Sequence, residues 1–126
     1  MPEPTLIIDD DPSFNAILVR TLERRGFPAR GALDAGDALM LAREIVPNRV
    51  VLDLNLNGSS GLALIPELLA INAACRIVVL TGYASIATAV DAIKLGAVQY
   101  LAKPVEIEAI LAAFENDDAP DFDLPA

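Results

Sequence analysis

The strongest constraint on the fold of this chain is a fivefold alternation of short apolar runs with segments of helical period. Runs at 5–9, 49–54, 75–82 and 98–104 are predicted strands, and three of them are rich in Val and Ile without polar alternation. That pattern is typical of strands covered on both faces. A weaker run at 27–33 contains Pro28, which cannot donate to a strand ladder, so we expect an edge strand there.

Segments with helical period lie between the predicted strands. Three of them follow a residue that can accept a hydrogen bond from the first helical turn, namely Asp11, Asp34 and Ser85. The apolar face predicted for the first helix consists of Phe14, Ile17, Leu18 and Leu22. A helix within 60–72 contains Pro66, so we expect it to start late or to bend. The last helix is predicted over about 105–116.

Five β-α units in succession predict an α/β domain, built on a mainly parallel sheet with helices on both faces. In such folds ligands bind at the carboxyl ends of the strands, beside the point where the strand order reverses. Polar residues end the predicted strands at that edge: Asp9, Asp10, Asp53, Thr81 and Lys103. We therefore expect one functional site there.

The acidic residues at the strand ends need a positive partner. Two carboxylates about 4 Å apart repel each other by about 1 kcal/mol in water and about 4 kcal/mol at an effective dielectric constant near 20. A divalent cation such as Mg²⁺ binds a few carboxylate oxygens and keeps several waters. Lys103 would add a fixed positive charge. Alternatively, residues 9–11 are an ordinary solvated helix start, where carboxylates favour the positive end of the helix dipole.

The overall composition argues against several classes of partner. The net charge is −9 and the nine basic residues are scattered, so we expect no direct nucleic-acid binding by this segment. A single cysteine, Cys75, excludes an internal disulfide and is interpreted as a core residue rather than a redox sensor. The start MPEPTL does not resemble a signal peptide, and polar residues interrupt the longest apolar region, 62–80. We expect a cytoplasmic protein that does not bind membranes.

The ordered set of strand-end residues resembles the receiver domains of two-component response regulators, the CheY-like family. The match consists of the acidic pair, then Asp53, Thr81 and finally Lys103-Pro104, over residues 5 to about 115. It implies a flavodoxin-like, doubly wound (βα)₅ sheet with strand order 2-1-3-4-5. It also implies a receiver domain at 1–116, whereas the acidic, proline-containing segment 117–126 is expected to be a disordered tail or the start of a linker.

The resemblance implies specific roles at the site. Asp53 would accept a phosphoryl group from a phosphohistidine on a sensor histidine kinase or a phosphotransfer protein. Asp9, Asp10 and Asp53, with the backbone carbonyl of Asn55, would hold Mg²⁺ or Mn²⁺. The domain would slowly hydrolyse its own aspartyl phosphate without being a dedicated enzyme.

The same resemblance implies how the signal would be passed on. Lys103 and Thr81 would contact the phosphoryl group, Thr81 and Tyr100 would form the switch, and the Lys103-Pro104 peptide bond would be cis. Phosphorylation would alter the face built by the fourth helix, fifth strand and fifth helix. A homodimer that depends on phosphorylation and an output domain beyond Ala126 are compatible with this interpretation.

The sequence also has features that distinguish it within the family. Asn57 and Ser60 replace the proline and aspartate of many relatives, whereas Gly61 is retained. The stretch LTGYASIATAVDAIKLGAVQYLAKP is similar to redox-responding proteobacterial regulators of the RegA/PrrA/ActR type, which attach a small helix-turn-helix domain through a proline-containing linker. Such an output would make the longer protein a transcription regulator.

Two other functions are open at this point. A haloacid-dehalogenase-like phosphatase also uses an aspartyl phosphate and Mg²⁺, and Asp9 and Asp11 fit its Asp-x-Asp start. That family needs a longer chain, and Pro12-Ser13 continues the motif poorly. The other alternative is a receiver-like binding module that is never phosphorylated.

Overall fold

The fold is known from a computed structural model, which describes residues 4–56, 58–82 and 86–115. The strands of the main sheet are β1 (Thr5–Ile8), β2 (Ala29–Ala32), β3 (Arg49–Asp53), β4 (Arg76–Thr81) and β5 (Gln99–Ala102). The α-helices are α1 (Pro12–Arg24), α2 (Ala35–Ile45), α3 (Leu64–Ile71), α4 (Ile86–Leu95) and α5 (Ile107–Glu115). Within the described ranges, every helix is too short or too polar to cross a bilayer.

All five strands of the main sheet run parallel, in the order β2-β1-β3-β4-β5. This arrangement confirms the doubly wound α/β fold and the edge position of β2. The order reverses between β1 and β3, because β2 lies to one side of β1 and all later strands lie to the other. The carboxyl ends of β1 and β3 therefore flank the crevice where such folds bind ligands.

Two apolar layers cover the sheet, one on each face. Leu6 and Val50 face the layer formed with α2, α3 and α4. Their neighbours Ile7 and Val51 face the layer formed with α1 and α5. This alternation follows from the two-residue period of a strand, and it explains why both kinds of position are apolar in the sequence.

The predicted cap residues Asp11 and Asp34 are both confirmed. Asp11 Oδ1 accepts hydrogen bonds from the amides of Ser13 and Phe14, at 3.0 and 3.3 Å, and Pro12 occupies the first helical position. Asp34 Oδ1 accepts from the Asp37 amide at 2.8 Å. Ser85, the cap predicted for α4, lies outside the described residues.

The predicted apolar face of α1 is correct except for Ile17, which is 61% exposed. The buried positions on this helix are Leu18, Leu22 and Asn15. At 3.6 residues per turn, Ile17 lies at the flank of the face formed by Phe14, Leu18 and Leu22, whereas Asn15 lies closer to its centre. Helical geometry thus buries a polar residue and exposes an apolar one.

The predicted late start of the third helix is confirmed. A 3₁₀ turn at Gly61–Ala63 precedes α3, and Pro66 is the third residue of that helix. The first helical amides have no partner within the helix, so proline costs no hydrogen bond there. An unpredicted two-residue antiparallel ladder, Asn55–Leu56 with Ser59–Ser60, precedes the turn.

The last helix begins two residues later than predicted, at Ile107, and the described part of it ends at Glu115. Phe114 and Ile110 are buried against the sheet, as the helical spacing of these apolar residues requires. The predicted tail, 117–126, lies outside the described residues.

Candidate functional site

The polar residues predicted to end the strands lie at one edge of the sheet. Asp53 and Thr81 are the last residues of β3 and β4, and Asp9 directly follows β1. Lys103 follows β5, and its amide donates to the Thr81 carbonyl at 2.8 Å. Because the strands are parallel, their carboxyl ends meet at this edge.

The pleat of the strands explains why Asp9 and Asp53 point to the same region. Ile7 and Val51 face the layer with α1 and α5, and the two aspartates lie two residues farther along their strands. Side chains two residues apart point to the same face. Asp9 is fully buried and Asp53 is 4% exposed, so both carboxylates are largely withdrawn from water.

Three carboxylates form a compact cluster. Asp9, Asp10 and Asp53 each offer one oxygen, and these oxygens lie within 4.8 Å of one another. Oxygen ligands bind Mg²⁺ at about 2.0–2.1 Å and Ca²⁺ at about 2.3–2.6 Å, so two oxygens on opposite sides of one ion are about 4–5 Å apart, which is the scale of this cluster. The cluster therefore has the donor type and spacing for a hard divalent cation.

Lys103 links the two buried carboxylates. Its Nζ donates to Asp9 Oδ2 at 2.8 Å and to Asp53 Oδ2 at 3.2 Å. The lysine side chain is 27% exposed, so the ammonium lies at the boundary between the buried acids and solvent. A salt bridge this deep needs further hydrogen bonds to offset desolvation.

Those further hydrogen bonds come from backbone amides. Asp9 Oδ1 accepts from the Asp11 amide at 2.9 Å, and Asp53 Oδ1 accepts from the Asn55 amide at 3.0 Å. In each pair the donor is two residues beyond the acid, so the turn after the strand fixes the carboxylate. The second oxygen of each acid is thereby directed to Lys103.

The environment shifts the ionisation of Asp53 and Lys103. Burial raises the pKa of Asp53 above its usual range, the negative charge of Asp9 adds to this effect, and the Asn55 amide and Lys103 oppose it. Burial alone would lower the pKa of Lys103, but its hydrogen bonds and ion pairs with Asp9 and Asp53 outweigh burial and raise it. Lys103 is thus held in its charged form.

A cavity of about 370 Å³ opens above the cluster. Five of the predicted site residues line it: Asp10, Asp53, Asn55, Thr81 and Lys103. The side-chain oxygen of Asn55 accepts from the Gly58 amide at 3.1 Å. A water occupies about 30 Å³ in the liquid, so the cavity has room for a phosphoryl group and several waters.

Thr88 and Gly82 also line this cavity, and the sequence did not indicate them. Thr88 lies on α4, in the apolar stretch IATAV, and is half-buried. A hydroxyl among apolar helical neighbours is the only sequence signal for it, and that signal is weak because threonine also occurs in ordinary helices.

Asn15 is a third residue that the sequence did not indicate. It is 3% exposed, and its Nδ2 donates to the carbonyls of Asp9 at 3.0 Å and Ala32 at 2.9 Å. These bonds tie α1 to the ends of β1 and β2. Gly31 lies directly beside it, because a Cβ there would meet Asn15 Oδ1.

Gly61 is required by its close approach to the acceptor strand. A Cβ at this position would lie 2.6 Å from the Asp53 carbonyl oxygen. The Gly61 amide donates to the Leu54 carbonyl at 2.7 Å, so the turn is held tightly against the end of β3. Ser60, where many relatives place aspartate, caps the 3₁₀ turn by accepting from the Leu62 amide at 3.2 Å.

The remaining predicted positions lie around this core. The Lys103-Pro104 peptide bond is cis. Tyr100 is half-buried and packs against the layer with α2, α3 and α4. Cys75 is buried, and burial raises the pKa of its thiol to about 12, so the reactive thiolate is scarce. Asn57 lies outside the described residues.

Comparison with known families identifies one matching domain. A family model described as the response regulator receiver domain matches residues 5–115. Among curated proteins, the acid tolerance regulatory protein ActR of Rhizobium meliloti is 44% identical over 108 residues, which cover 86% of this chain and 56% of that protein. The photosynthetic apparatus regulatory protein RegA of Cereibacter sphaeroides is 40% identical over 108 residues, covering 86% and 59%. This chain therefore spans little more than half the length of these relatives.

Solved structures agree with the family match. A response regulator from Burkholderia pseudomallei, crystallised with a phosphorylated aspartic acid, a calcium ion and citrate, is 49% identical with a TM-score of 0.85, covering 89% of this chain and 66% of that one. A CheY-like receiver domain from Methanospirillum hungatei is 26% identical with the same TM-score, 0.85, covering 91% and 92%. Neither the family match nor these relatives support the phosphatase or the non-phosphorylated binding module.

Proposed function

This chain belongs to the response regulator receiver domain family of two-component signalling, and we propose that Asp53 is its phosphoacceptor. The observation that carries this proposal is the position of Asp53. Asp53 combines three properties: Lys103 contacts it, it belongs to the three-carboxylate cluster, and it lines the cavity. Asp9 has the first two properties but is fully buried, whereas Asp53 is 4% exposed and lines the cavity.

The proposed reaction is an in-line phosphoryl transfer. A carboxylate oxygen of Asp53 attacks the phosphorus of a phosphohistidine, the new O–P bond forms, and the N–P bond breaks with its electron pair returning to the imidazole. Such transfers depend mainly on positioning and charge neutralisation. Lys103 supplies one positive charge, and Thr81, which lines the cavity, would donate its hydroxyl to the transferred group. Water entering the cavity then slowly hydrolyses the acyl phosphate.

The metal proposed for this site is Mg²⁺, or Mn²⁺ in its place. Asp9, Asp10 and Asp53 would hold it, and the Asn55 carbonyl is the proposed fourth protein ligand. When bound, the ion neutralises charge that develops on the phosphoryl oxygens. The oxygen-only donor set and the open side of the cluster suit an ion that keeps several waters.

The proposed output is a change in the face formed by α4, β5 and α5. Moving a two-state equilibrium from 1:99 to 99:1 requires about 5.5 kcal/mol of differential stabilisation. Charge-assisted hydrogen bonds from Thr81 and Lys103 to a phosphoryl group can supply part of it. Tyr100, on β5 and half-buried, is the proposed reporter of this change.

The proposed partners follow from the family and from the length of the relatives. A sensor histidine kinase or a phosphotransfer protein would supply the phosphoryl group. Because the chain spans 56% of the ActR length and 59% of the RegA length, an output domain beyond Ala126 that regulates transcription is proposed. A phosphorylation-dependent homodimer is proposed as well.

Phosphorylation by acetyl phosphate in the presence of Mg²⁺ tests the acceptor. We expect intact-mass spectrometry to show the addition of one phosphoryl group, and borohydride reduction to map it to position 53. Asp53→Asn should abolish the addition. The matched control is Asp11→Asn, which removes a nearby acid that caps α1 and should be labelled like the wild type. Labelling of Asp9 with rapid turnover of small phosphoesters would instead indicate the phosphatase.

A further inference from the structure

Phe14 contacts the Lys103 ammonium directly. Lys103 Nζ lies over the Phe14 ring, 4.9 Å from its centroid. Cations attract the negative face of an aromatic ring within about 6 Å of the centroid. The helical spacing predicts only that Phe14 belongs to the apolar face of the first helix, and Phe14 is half-buried in the layer with α1 and α5.

The start of α1 fixes the position of this ring. Asp11 caps the helix, Pro12 is its first residue, and the Phe14 amide donates to Asp11 Oδ1 at 3.3 Å. Phe14 is therefore in the first helical turn, next to the acids that follow β1. The same cap that begins the helix places an aromatic ring beside the site.

The ammonium of Lys103 has three N–H donors, and three groups contact it in the structure. Two hydrogen bonds go to Asp9 and Asp53, and the ring face is the third contact. During phosphoryl transfer the bond to Asp53 must be exchanged for one to a phosphoryl oxygen. A neutral ring forms no hydrogen bond that has to be exchanged, so its contact with the ammonium, on a side chain that is 27% exposed, can persist through this step.

We propose that Phe14 is a positioning residue for phosphoryl transfer, holding the Lys103 ammonium at the site by a cation–π contact while its anionic partners change. This inference rests on the function proposed above. It assigns no role in substrate contact to Phe14, which acts only through Lys103.

Stepwise fluorination of the ring tests the contact. Replacing Phe14 with mono-, di- and trifluorophenylalanine nearly preserves its shape and progressively weakens the negative ring face. We expect the rate of Asp53 phosphorylation by acetyl phosphate, at fixed Mg²⁺, to fall with each fluorine, by about two- to fivefold over the series. Phe14→Leu should be at least as slow, with circular dichroism confirming that it folds.

The matched control is the same series at Phe27, whose ring lies 5.0 Å from the guanidinium carbon of Arg49 and belongs to the same apolar layer. Fluorination there should leave the phosphorylation rate unchanged.

A second measurement, by NMR, does not depend on phosphorylation. NMR signals of the Lys103 side chain should carry a ring-current shift in the wild type and lose it in Phe14→Leu.

The outcomes separate the two proposals. If the phosphorylation rate does not change along the fluorinated series at position 14 while Asp53 is labelled normally, the role of Phe14 is overturned. The proposal that Asp53 is the phosphoacceptor then still holds. Absence of labelling at Asp53 in the wild type would overturn the proposed function. In that case an unshifted Lys103 signal in the wild type would overturn the ring contact as well, and a shifted one would support it.

Discussion

The buried site raises the pKa of both Asp53 and Lys103, although the two residues carry opposite charges. The raised pKa of Asp53 means that burial and the charge of Asp9 outweigh the stabilisation that the Asn55 amide and Lys103 give to its ionised form. The raised pKa of Lys103 means that its two acidic neighbours outweigh its own burial. The metal-free site therefore carries an excess of negative charge that a divalent cation would relieve.

Replacing Asp53 with Asn should stabilise the metal-free protein at neutral pH. Because the folded-state pKa of Asp53 is raised, its ionisation costs folding free energy above the unfolded value of 3.8, and this cost is absent at more acidic pH. We expect the free energy of unfolding of Asp53→Asn to exceed that of the wild type by on the order of 1 kcal/mol at pH 7, and the difference to vanish towards pH 3–4. Urea unfolding with EDTA, followed by circular dichroism, measures it.

The matched control is Asp91→Asn, which removes an exposed carboxylate from α4. Because this carboxylate is exposed on the helix surface, the variant should differ from the wild type by no more than about 0.5 kcal/mol at pH 7. If Asp53→Asn is less stable than the wild type at pH 7, the ion pair with Lys103 outweighs the crowding of carboxylates.

Lys103 itself should contribute stability that is fully present below its unfolded pKa of 10.5 and is lost as pH rises through its raised folded-state pKa.

At the scale of elements, α1 is the part that connects the site to the fold. Its amino-terminal cap holds Phe14 beside Lys103, and Asn15 bonds the ends of β1 and β2. Asn15 donates to three backbone carbonyls, and the one of Ala32 also accepts from the Asp9 amide at 3.2 Å, so Asn15 completes the pairing of polar groups where β1 and β2 end. The helix is thus positioned by polar contacts at one end and by apolar packing of Leu18 and Leu22 along its length.

Substituting Asn15 by Leu should destabilise the protein by about 1–3 kcal/mol, because the buried carbonyls lose hydrogen bonds while the branched shape and the number of side-chain heavy atoms are kept. Mg²⁺ affinity should fall as well, since Asn15 contacts the backbone of Asp9. The matched control is Arg20→Leu, at an exposed position of the same helix, which should change stability by no more than about 0.5 kcal/mol. Chemical unfolding with and without Mg²⁺ measures both effects. Equal stability of the two variants would show that the hydrogen bonds of Asn15 to the ends of β1 and β2 do not stabilise the fold.

How far the sequence predicts the elements depends on whether the signal is local. The strands at 5–8 and 49–53 follow from runs of apolar residues, and the caps at Asp11 and Asp34 follow from side chains two or three residues from their donors. The burial of Asn15 could not be predicted, because its partners include Ala32, which is 17 residues away. The contact of Phe14 with Lys103 likewise depends on tertiary packing between residues at opposite ends of the chain.

At the scale of the whole molecule, the site is the place where four parallel strands end together. Asp9, Asp53, Thr81 and Lys103 are far apart in the sequence, but each follows or ends a strand of the same sheet. The sequence predicted this convergence because a parallel sheet brings all carboxyl ends to one edge. It could not predict that Lys103 contacts both Asp9 and Asp53, which depends on side-chain conformation.

Metal binding at this edge should stabilise the entire domain. A ligand that binds only the folded state adds a free energy of RT ln(1 + [L]/Kd), about 2.7 kcal/mol at one hundred times Kd. We expect the melting temperature to rise with MgCl₂ at constant ionic strength, adjusted with KCl so that screening of the −9 net charge stays fixed. Asp10→Asn should raise the metal-free melting temperature and reduce the increment that Mg²⁺ confers.

Asp11→Asn is the matched control, because it removes the neighbouring charge and Asn remains a good helix cap. Asp11 is exposed and lies outside the three-acid cluster, so this variant should retain the full Mg²⁺ increment. A cation attracted only by the acidic surface would lose similar stabilisation in both variants, since each removes one charge from adjacent positions. A cation coordinated by the cluster distinguishes them, because only Asp10 contributes one of the three oxygens within 4.8 Å of one another.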